Sequence, residues 1–359
     1  MPPFKMNQAK LAQLGVTIEA FDVDAATDAQ WRAINDLFVQ TSAESAPEDP
    51  APLLENTISG MRNVPPVIDL ERWFVWQGDA LVGNAAMSFM RTEENQHILN
   101  FDLFVLPGWR RRGLGAELLK LAVNQAQEKA RTSLITNTIS SMPDGEAFCQ
   151  AIGAQANLTV SENQLVMDEL DHALIQRWLD RASERADDLE LGLYVGPFPE
   201  SELEAIVAVH ESMNSAPRDD LDVEDFHMTP AIMREIEASL TARDIERWVM
   251  FVRDPATGVY AGFTEVFWRP NVPDRMGQGD TGVVDAYRNR GIGRWLKAAM
   301  LKKIVAERPQ VKYVRTGNAA SNEPMLKINH ELGFKLHKTF KVWQVERSQV
   351  EEFLQKHGD

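Results

Sequence analysis

One cysteine in 359 residues, Cys149, leaves the chain without any internal disulfide. Its seven histidines show no His-Glu-x-x-His or similar paired spacing, so no structural metal is expected. A Walker loop would need Gly-Lys-Ser/Thr, and a serine nucleophile of the hydrolase type would need Gly-x-Ser-x-Gly; neither occurs. Long apolar runs are missing too: no stretch of 18 apolar residues is present, and the start, MPPFKMNQAK, has no apolar h-region. The expectation is a cytoplasmic chain, neither secreted nor membrane-bound. Basic charge is in short supply, 37 Lys and Arg against 53 Asp and Glu for a net −16, which argues against a nucleic-acid partner. What remains is ordinary for a globular protein, 44% hydrophobic and 25% charged, at a length that suggests two domains.

The informative presence is a motif that occurs twice. Val105 to Gly115 reads VLPGWRRRGLG and Val283 to Gly293 reads VVDAYRNRGIG, 178 positions apart. In each, an arginine is followed by x-x-Gly-x-Gly between a strand-like and a helix-like segment. Gly113 with Gly115, and Gly291 with Gly293, allow backbone N–H groups to converge on one concavity. The helix that follows adds its unsatisfied N–H groups and positive dipole end. Arg110, Arg111, Arg112, Arg288 and Arg290 add charge. Such a loop suits a pyrophosphate. The dinucleotide fingerprint fits poorly, because a third glycine and a downstream acid are not cleanly placed. After the loops, Leu114, Leu118, Leu119, Ala122, Val123 and Ala126, and Ile292, Trp295, Leu296, Met300, Leu301 and Ile304, keep helical spacing.

The repeat extends further. Glu71-Arg72-Trp73 matches Glu246-Arg247-Trp248 at an offset of 175, Gly83 matches Gly262 at 179, Gly153 matches Gly333 at 180, and Ser45-Ala46-Pro47 matches Ser215-Ala216-Pro217 at 170. Drifting offsets mean loop insertions in a shared framework. Between the copies, Asp171 to Leu189 lacks glycine and proline and reads as a connecting helix. The expected division is therefore 1–170, a connecting helix over 171–189, and 190–359.

These segments resemble the acetyl-CoA-binding motif of the GNAT N-acetyltransferases, in a tandem arrangement similar to mycothiol synthase and related bacterial double-domain acetyltransferases. The resemblance covers most of the chain. It implies an α/β (α+β) fold of two GNAT domains, each with a splayed, mixed but mainly antiparallel sheet flanked by helices. It implies acetyl-CoA as cofactor, held by Phe104, Val105 and Arg110, Arg111, Arg112, Gly113, Leu114, Gly115 in the first copy. In the second copy the implied set is Val283, Val284, Arg288, Asn289, Arg290, Gly291, Ile292, Gly293, Asn322 and Met325. Asn322, 11 positions before Gly333, stands where members often have an asparagine touching the cofactor arm, with a plain helix cap as the alternative. Met142 replaces it in the first copy, which is partly degenerate.

Members also carry a tyrosine, four residues before the glycine ending this helix, that can protonate the departing CoA thiolate. Asn329 and Cys149 occupy those positions here. Water could serve instead, since a thiol titrates near 8.5. Cys149, in an alanine-rich helix with no histidine partner, reads as structural.

Strand alternation supplies a candidate base. In YAGFTEVFW, Phe263, Glu265 and Phe267 share a face, and a carboxyl among aromatics tends towards a raised pKa. Ala86 matches Glu265 in the first copy, which points to the C-terminal domain as the catalytic one. Asp280 is the reserve candidate, although Asp102 matches it. The expected reaction is direct acetyl transfer to a primary amine in a ternary complex, with backbone N–H near Val283 facing the oxyanion. The acidic balance favours cationic small molecules such as aminoglycosides, polyamines or amino sugars. The chain is expected to act as a monomer, an intramolecular pseudo-dimer of its two halves. A CoA-sensing module without turnover, or a peptide or protein acetyltransferase, stays open as an alternative.

Overall fold

Apolar residues on the strands fall on both faces, so each sheet is covered by helices on its two sides. In the computed structural model, which describes residues 2–357, the elements run in chain order α1 (Gln8–Leu14), β1 (Thr17–Ala20), α2 (Asp28–Ser45), α3 (Leu54–Arg62), β2 (Ile68–Gln77), β3 (Ala80–Met90), β4 (Ile98–Val105), α4 (Leu114–Glu128), β5 (Ser133–Ile139), α5 (Pro143–Ala151) and β6 (Gln155–Val166). They continue with α6 (His172–Arg185), β7 (Glu190–Val195), α7 (Leu203–His210), α8 (Pro230–Ala242), β8 (Glu246–Arg253), β9 (Tyr260–Trp268), β10 (Arg275–Val283), α9 (Ile292–Glu307), β11 (Tyr313–Ala319), α10 (Glu323–Glu331), β12 (Lys335–Glu346) and α11 (Arg347–His357).

The chain forms two compact units. Unit 1 comprises the residues up to Leu158 together with those from Phe340 onward; unit 2 is Thr159–Thr339. In unit 1 the strand order is β1-β2-β3-β4-β5-β12, and every pairing is antiparallel except β4 with β5. On β2, Phe74 enters the apolar cluster beneath α2 and α3, and its neighbour Val75 enters the one beneath α4. Unit 2 repeats the plan as β7-β8-β9-β10-β11-β6, with β10 and β11 the parallel pair. On β8, Trp248, Met250 and Val252 face α9, whereas Val249 and Phe251 face α7.

Mixed, mainly antiparallel sheets flanked by helices are thus present twice. The units differ, however, from the division of the chain at 170 and 190. The last strand of unit 2 is the second half of β6, pairing Val160–Val166 with Tyr313–Ala319, and the last strand of unit 1 is the second half of β12, pairing Phe340–Glu346 with Ser133–Ile139. Each half of the chain therefore gives a closing strand to the other unit. The physical reason is burial: Leu165 completes the core of unit 2, and Trp343 and Val345 complete that of unit 1. Nor is 171–189 a free connector. Asp171 caps α6 by accepting a hydrogen bond from the Leu174 N–H at 2.9 Å, and Ile175 and Trp178 pack into the unit 2 core with α9.

Candidate active site

In unit 2, β10 runs beside β11 only over Arg275–Gly277, against Tyr313–Arg315, and then diverges. The divergence opens a cleft of about 580 Å³ floored by α9 and walled by α10 and the segment after α7. Unit 1 opens likewise: β4 and β5 pair only over Ile98–Asn100 and Ser133–Ile135. Past each divergence the parting strand approaches its antiparallel neighbour closely. A Cβ on Gly262 would lie 2.7 Å from the Gly282 carbonyl oxygen, and one on Gly83 would lie 2.7 Å from that of Phe104, so only glycine fits at either place.

The two cradles have one backbone conformation. Arg288 is extended, Asn289 left-handed (φ 63°) and Gly291 left-handed (φ 85°) before α9 begins; Arg110, Arg111 (φ 62°) and Gly113 (φ 88°) repeat the sequence before α4. This alternation turns successive N–H groups into one anion-binding concavity at a helix N-terminus. A Cβ on Gly291 would meet open space, so its requirement is conformational rather than steric.

Their side chains differ. Arg110 donates to the Val105 carbonyl at 2.9 Å and is held by Glu44 at 2.6 Å and Asp144 at 3.0 Å. Lys10 lies over Gly113 and the Phe148 ring over Gly115, in a cleft of about 420 Å³ with Met142 at its wall. Arg288 donates to the Val283 carbonyl at 3.2 Å, to Ser215 Oγ at 2.7 Å and to the exposed Asp285 at 2.8 Å. Its charge is the less fully compensated. Of the expected cofactor residues, Val283, Arg288, Asn289, Gly291, Ile292, Gly293, Asn322 and Met325 line the unit 2 cleft, and Phe104, Val105, Arg110, Arg111, Gly113 and Gly115 line that of unit 1. Four do not join them. Val284 packs on the core under α7, Arg290 pairs with Asp188, Arg112 covers the Trp109 ring, and Leu114, the first residue of α4, is buried in the unit 1 core. Asn322 lines the cleft and also caps α10, its Oδ1 accepting from the Met325 N–H at 3.3 Å, so the two readings of this residue coexist.

The carboxylates part ways. Glu265 is buried, and two guanidinium nitrogens of Arg247 converge on its Oε2 at 2.8 and 2.6 Å. Arg247 in turn lies over Phe198 and Phe267, at 4.9 and 5.9 Å from the ring centres, filling the aromatic surroundings expected for a lone carboxyl. The pairing of β9 with β10 slips between Gln278 and Thr281, a bulge that lifts Gly279 and Asp280 opposite Glu265. This puts Asp280 into the cleft. Asp280 is exposed at the cleft, yet desolvation by the protein around its carboxyl pushes it up to about 6; the Glu265 charge adds to the rise and Arg247 opposes it. β3 and β4 pair without a slip beside Asp102.

Two residues that the motif reading passes over also belong here. Lys297 on α9 is 1% exposed, and its Nζ donates to Asn329 Oδ1 at 2.8 Å. Asn329 Nδ2 donates in turn to Asn318 Oδ1 at 2.7 Å. The copy comparison carried the signal: at an offset of 178 the matching residue on α4 is Leu119. Cys149, the counterpart of Asn329, is buried, and burial with the nearby Glu146 charge pushes its thiol up to about 12, so it is no nucleophile at neutral pH.

Residues 31–149 match the model of the acetyltransferase (GNAT) family. No curated protein sequence matches the chain. Among solved structures it is similar to a tandem GNAT protein from the clavulanic acid biosynthesis pathway, at 24% identity and a TM-score of 0.75, over 92% of this chain and 98% of that one. It is also similar to a GCN5-related N-acetyltransferase from Sphaerobacter thermophilus, at 13% identity and a TM-score of 0.64, over 92% and 96%. A third likeness, at 11% identity and a TM-score of 0.55 over 95% and 79%, is to the N-myristoyltransferase of Saccharomyces cerevisiae with bound myristoyl-CoA. The match to the GNAT family model thus covers the part of unit 1 at residues 31–149, and the cleft and cradle recur in two units whose fold is that of the tandem GNAT structure.

Proposed function

We propose that unit 2 transfers an acetyl group from acetyl-CoA to a primary amine of a small cationic molecule, in a ternary complex. The observation that carries this reading is the bulge in β10, which sets Asp280 in the same cleft as the α9 cradle. Arg288 and the N–H groups from Asn289 to Gly293 hold the pyrophosphate, and Asn322 and Met325 flank the arm. Asp280 takes the proton of the attacking amine, directly or through one water, which its raised pKa favours. Glu265, locked to Arg247, positions the bulge: its Oε1 accepts from the Asp280 N–H at 3.4 Å. Backbone N–H near Val283 faces the developing oxyanion. Bound acetyl-CoA supplies the activated thioester. Unit 1 binds CoA more weakly, because Glu44 and Asp144 compete for Arg110.

Thiol release from acetyl-CoA across a panel of amines, with wild type and Asp280→Asn, tests this. Turnover should fall by about 10²- to 10⁴-fold in the variant, while acetyl-CoA affinity stays constant. Near-normal turnover in the variant would assign proton removal to bulk water.

A further inference from the structure

Breaking a thioester leaves an electron pair on sulfur, and the product is a thiol only once a proton arrives. We propose that Lys297 delivers that proton to the CoA sulfur in unit 2. The inference rests on the reading of unit 2 as the transferring site.

Three observations support it. First, Lys297 occupies a core position of α9 that α4 fills with Leu119, so packing alone does not call for a lysine. A buried ammonium is costly unless paired, and the only hydrogen-bond partner seen for Nζ among the described residues is a neutral amide, Asn329. Second, the side chain lines the same cleft as the cradle and Asp280. Third, its neighbours keep it available. Glu265 on β9 is taken by Arg247 on β8, Glu331 on α10 by Arg294 one turn earlier on α9, and Asp280 on β10 stands across the cleft. On α6, Arg290 of the cradle reaches the Arg185 carbonyl, and Asp180 accepts from Gln176. None of these charges sets the acidity of Lys297; burial alone lowers its pKa to about 7. Its ammonium is then a stronger acid than an ordinary thiol near 8.5, and transfer to sulfur runs downhill.

The balance is simple. A C–N bond forms as the C–S bond breaks, the amine proton passes to Asp280, and the pair leaving with sulfur takes the Lys297 proton. Neutral Lys297 regains a proton from water, and Asp280 gives one up. Asn329 and Asn318 hold the amine in place throughout.

The test compares wild type with Lys297→Leu, the residue that unit 1 carries at this place, or with Lys297→Met should the leucine fail to fold. Two readouts are needed: the pH profile of kcat, and calorimetric acetyl-CoA affinity. In the wild type, kcat should fall as pH rises through about 7, because only the ammonium form can deliver the proton. The variant should lose about 10²-fold or more in kcat and lose the alkaline fall, with acetyl-CoA affinity retained. A variant that keeps the alkaline fall, or whose kcat is near normal, overturns the proposal. A wild-type chain that binds no CoA at a Gly291-sensitive site overturns the reading of unit 2 itself, and is told apart because the calorimetric binding signal is itself missing.

Discussion

Glu265 and Asp280 are opposed across the β10 bulge, and their surroundings divide their labour. Glu265 neutralises Arg247, whereas Asp280 has no cation of its own and carries a raised pKa. Glu265→Gln would leave a buried guanidinium without its carboxylate, and urea unfolding should show a loss of about 3 to 5 kcal/mol. It would also remove the charge that raises the Asp280 pKa, so the acid limb of kcat/KM, expected near 6 in the wild type, should move to lower pH. An acid limb that moves up instead would contradict the assignment. The stability effect of Lys297 has the opposite sense. Folded Lys297 binds its proton near 7 and an unfolded lysine near its ordinary 10.5, so between those values the unfolded chain holds more protons and wild-type stability rises with pH. Below 7 the burial penalty is complete. Lys297→Leu should therefore stabilise the protein most at pH 7 and below, by an amount on the order of a few kcal/mol, and the gain should vanish above pH 10.5. Thermal melts across that range check it.

At the scale of elements, the cradles were legible in the sequence because their requirement is local. Arg-x-x-Gly-x-Gly writes the left-handed positions at Gly113 and Gly291 directly into the chain, and the apolar spacing after them writes α4 and α9. The strand before each loop and the matched glycines at 83 and 262 followed from the same repeat, and the divergence of that strand from the family resemblance. The base was harder to read. Period-two alternation placed Glu265 correctly inside, but could not show that Arg247, 18 residues earlier, would meet it there. A bulge adds one residue to a strand without any sequence mark, so Asp280 looked no different from Asp102. Lys297 stands among apolar neighbours on α9, and only its pairing with Leu119 of α4 marks it in the sequence. The cradle geometry makes a sharp prediction for Gly291→Ala. Forcing alanine into φ 85° should cost roughly 1 to 2 kcal/mol of stability, with acetyl-CoA affinity reduced, although no atom clashes. Calorimetry and thermal melts on one preparation separate the two effects.

At the scale of the whole molecule, the exchange of closing strands decides what can fold alone. The repeat identifies equivalent segments, yet it says nothing about which unit receives the last strand of each half; that follows from which core Leu165, Trp343 and Val345 complete. A fragment ending at 170 lacks Phe340–Glu346, the partner of β5, and leaves that edge bare. It should show no cooperative thermal transition, whereas a cooperative transition for 1–170 by itself would contradict the unit boundaries at 158 and 340. The exchange leaves each unit with its own cradle and cleft, and the proposed chemistry belongs to unit 2. The most direct measurement is acetyl-CoA-dependent thiol release, with a productive amine, in the paired variants Gly113→Glu and Gly291→Glu. Each puts a carboxylate into one of the two cradles proposed to hold pyrophosphate. Gly291→Glu should abolish turnover while Gly113→Glu keeps most of it; loss of turnover in Gly113→Glu with activity intact in Gly291→Glu would contradict the assignment to unit 2.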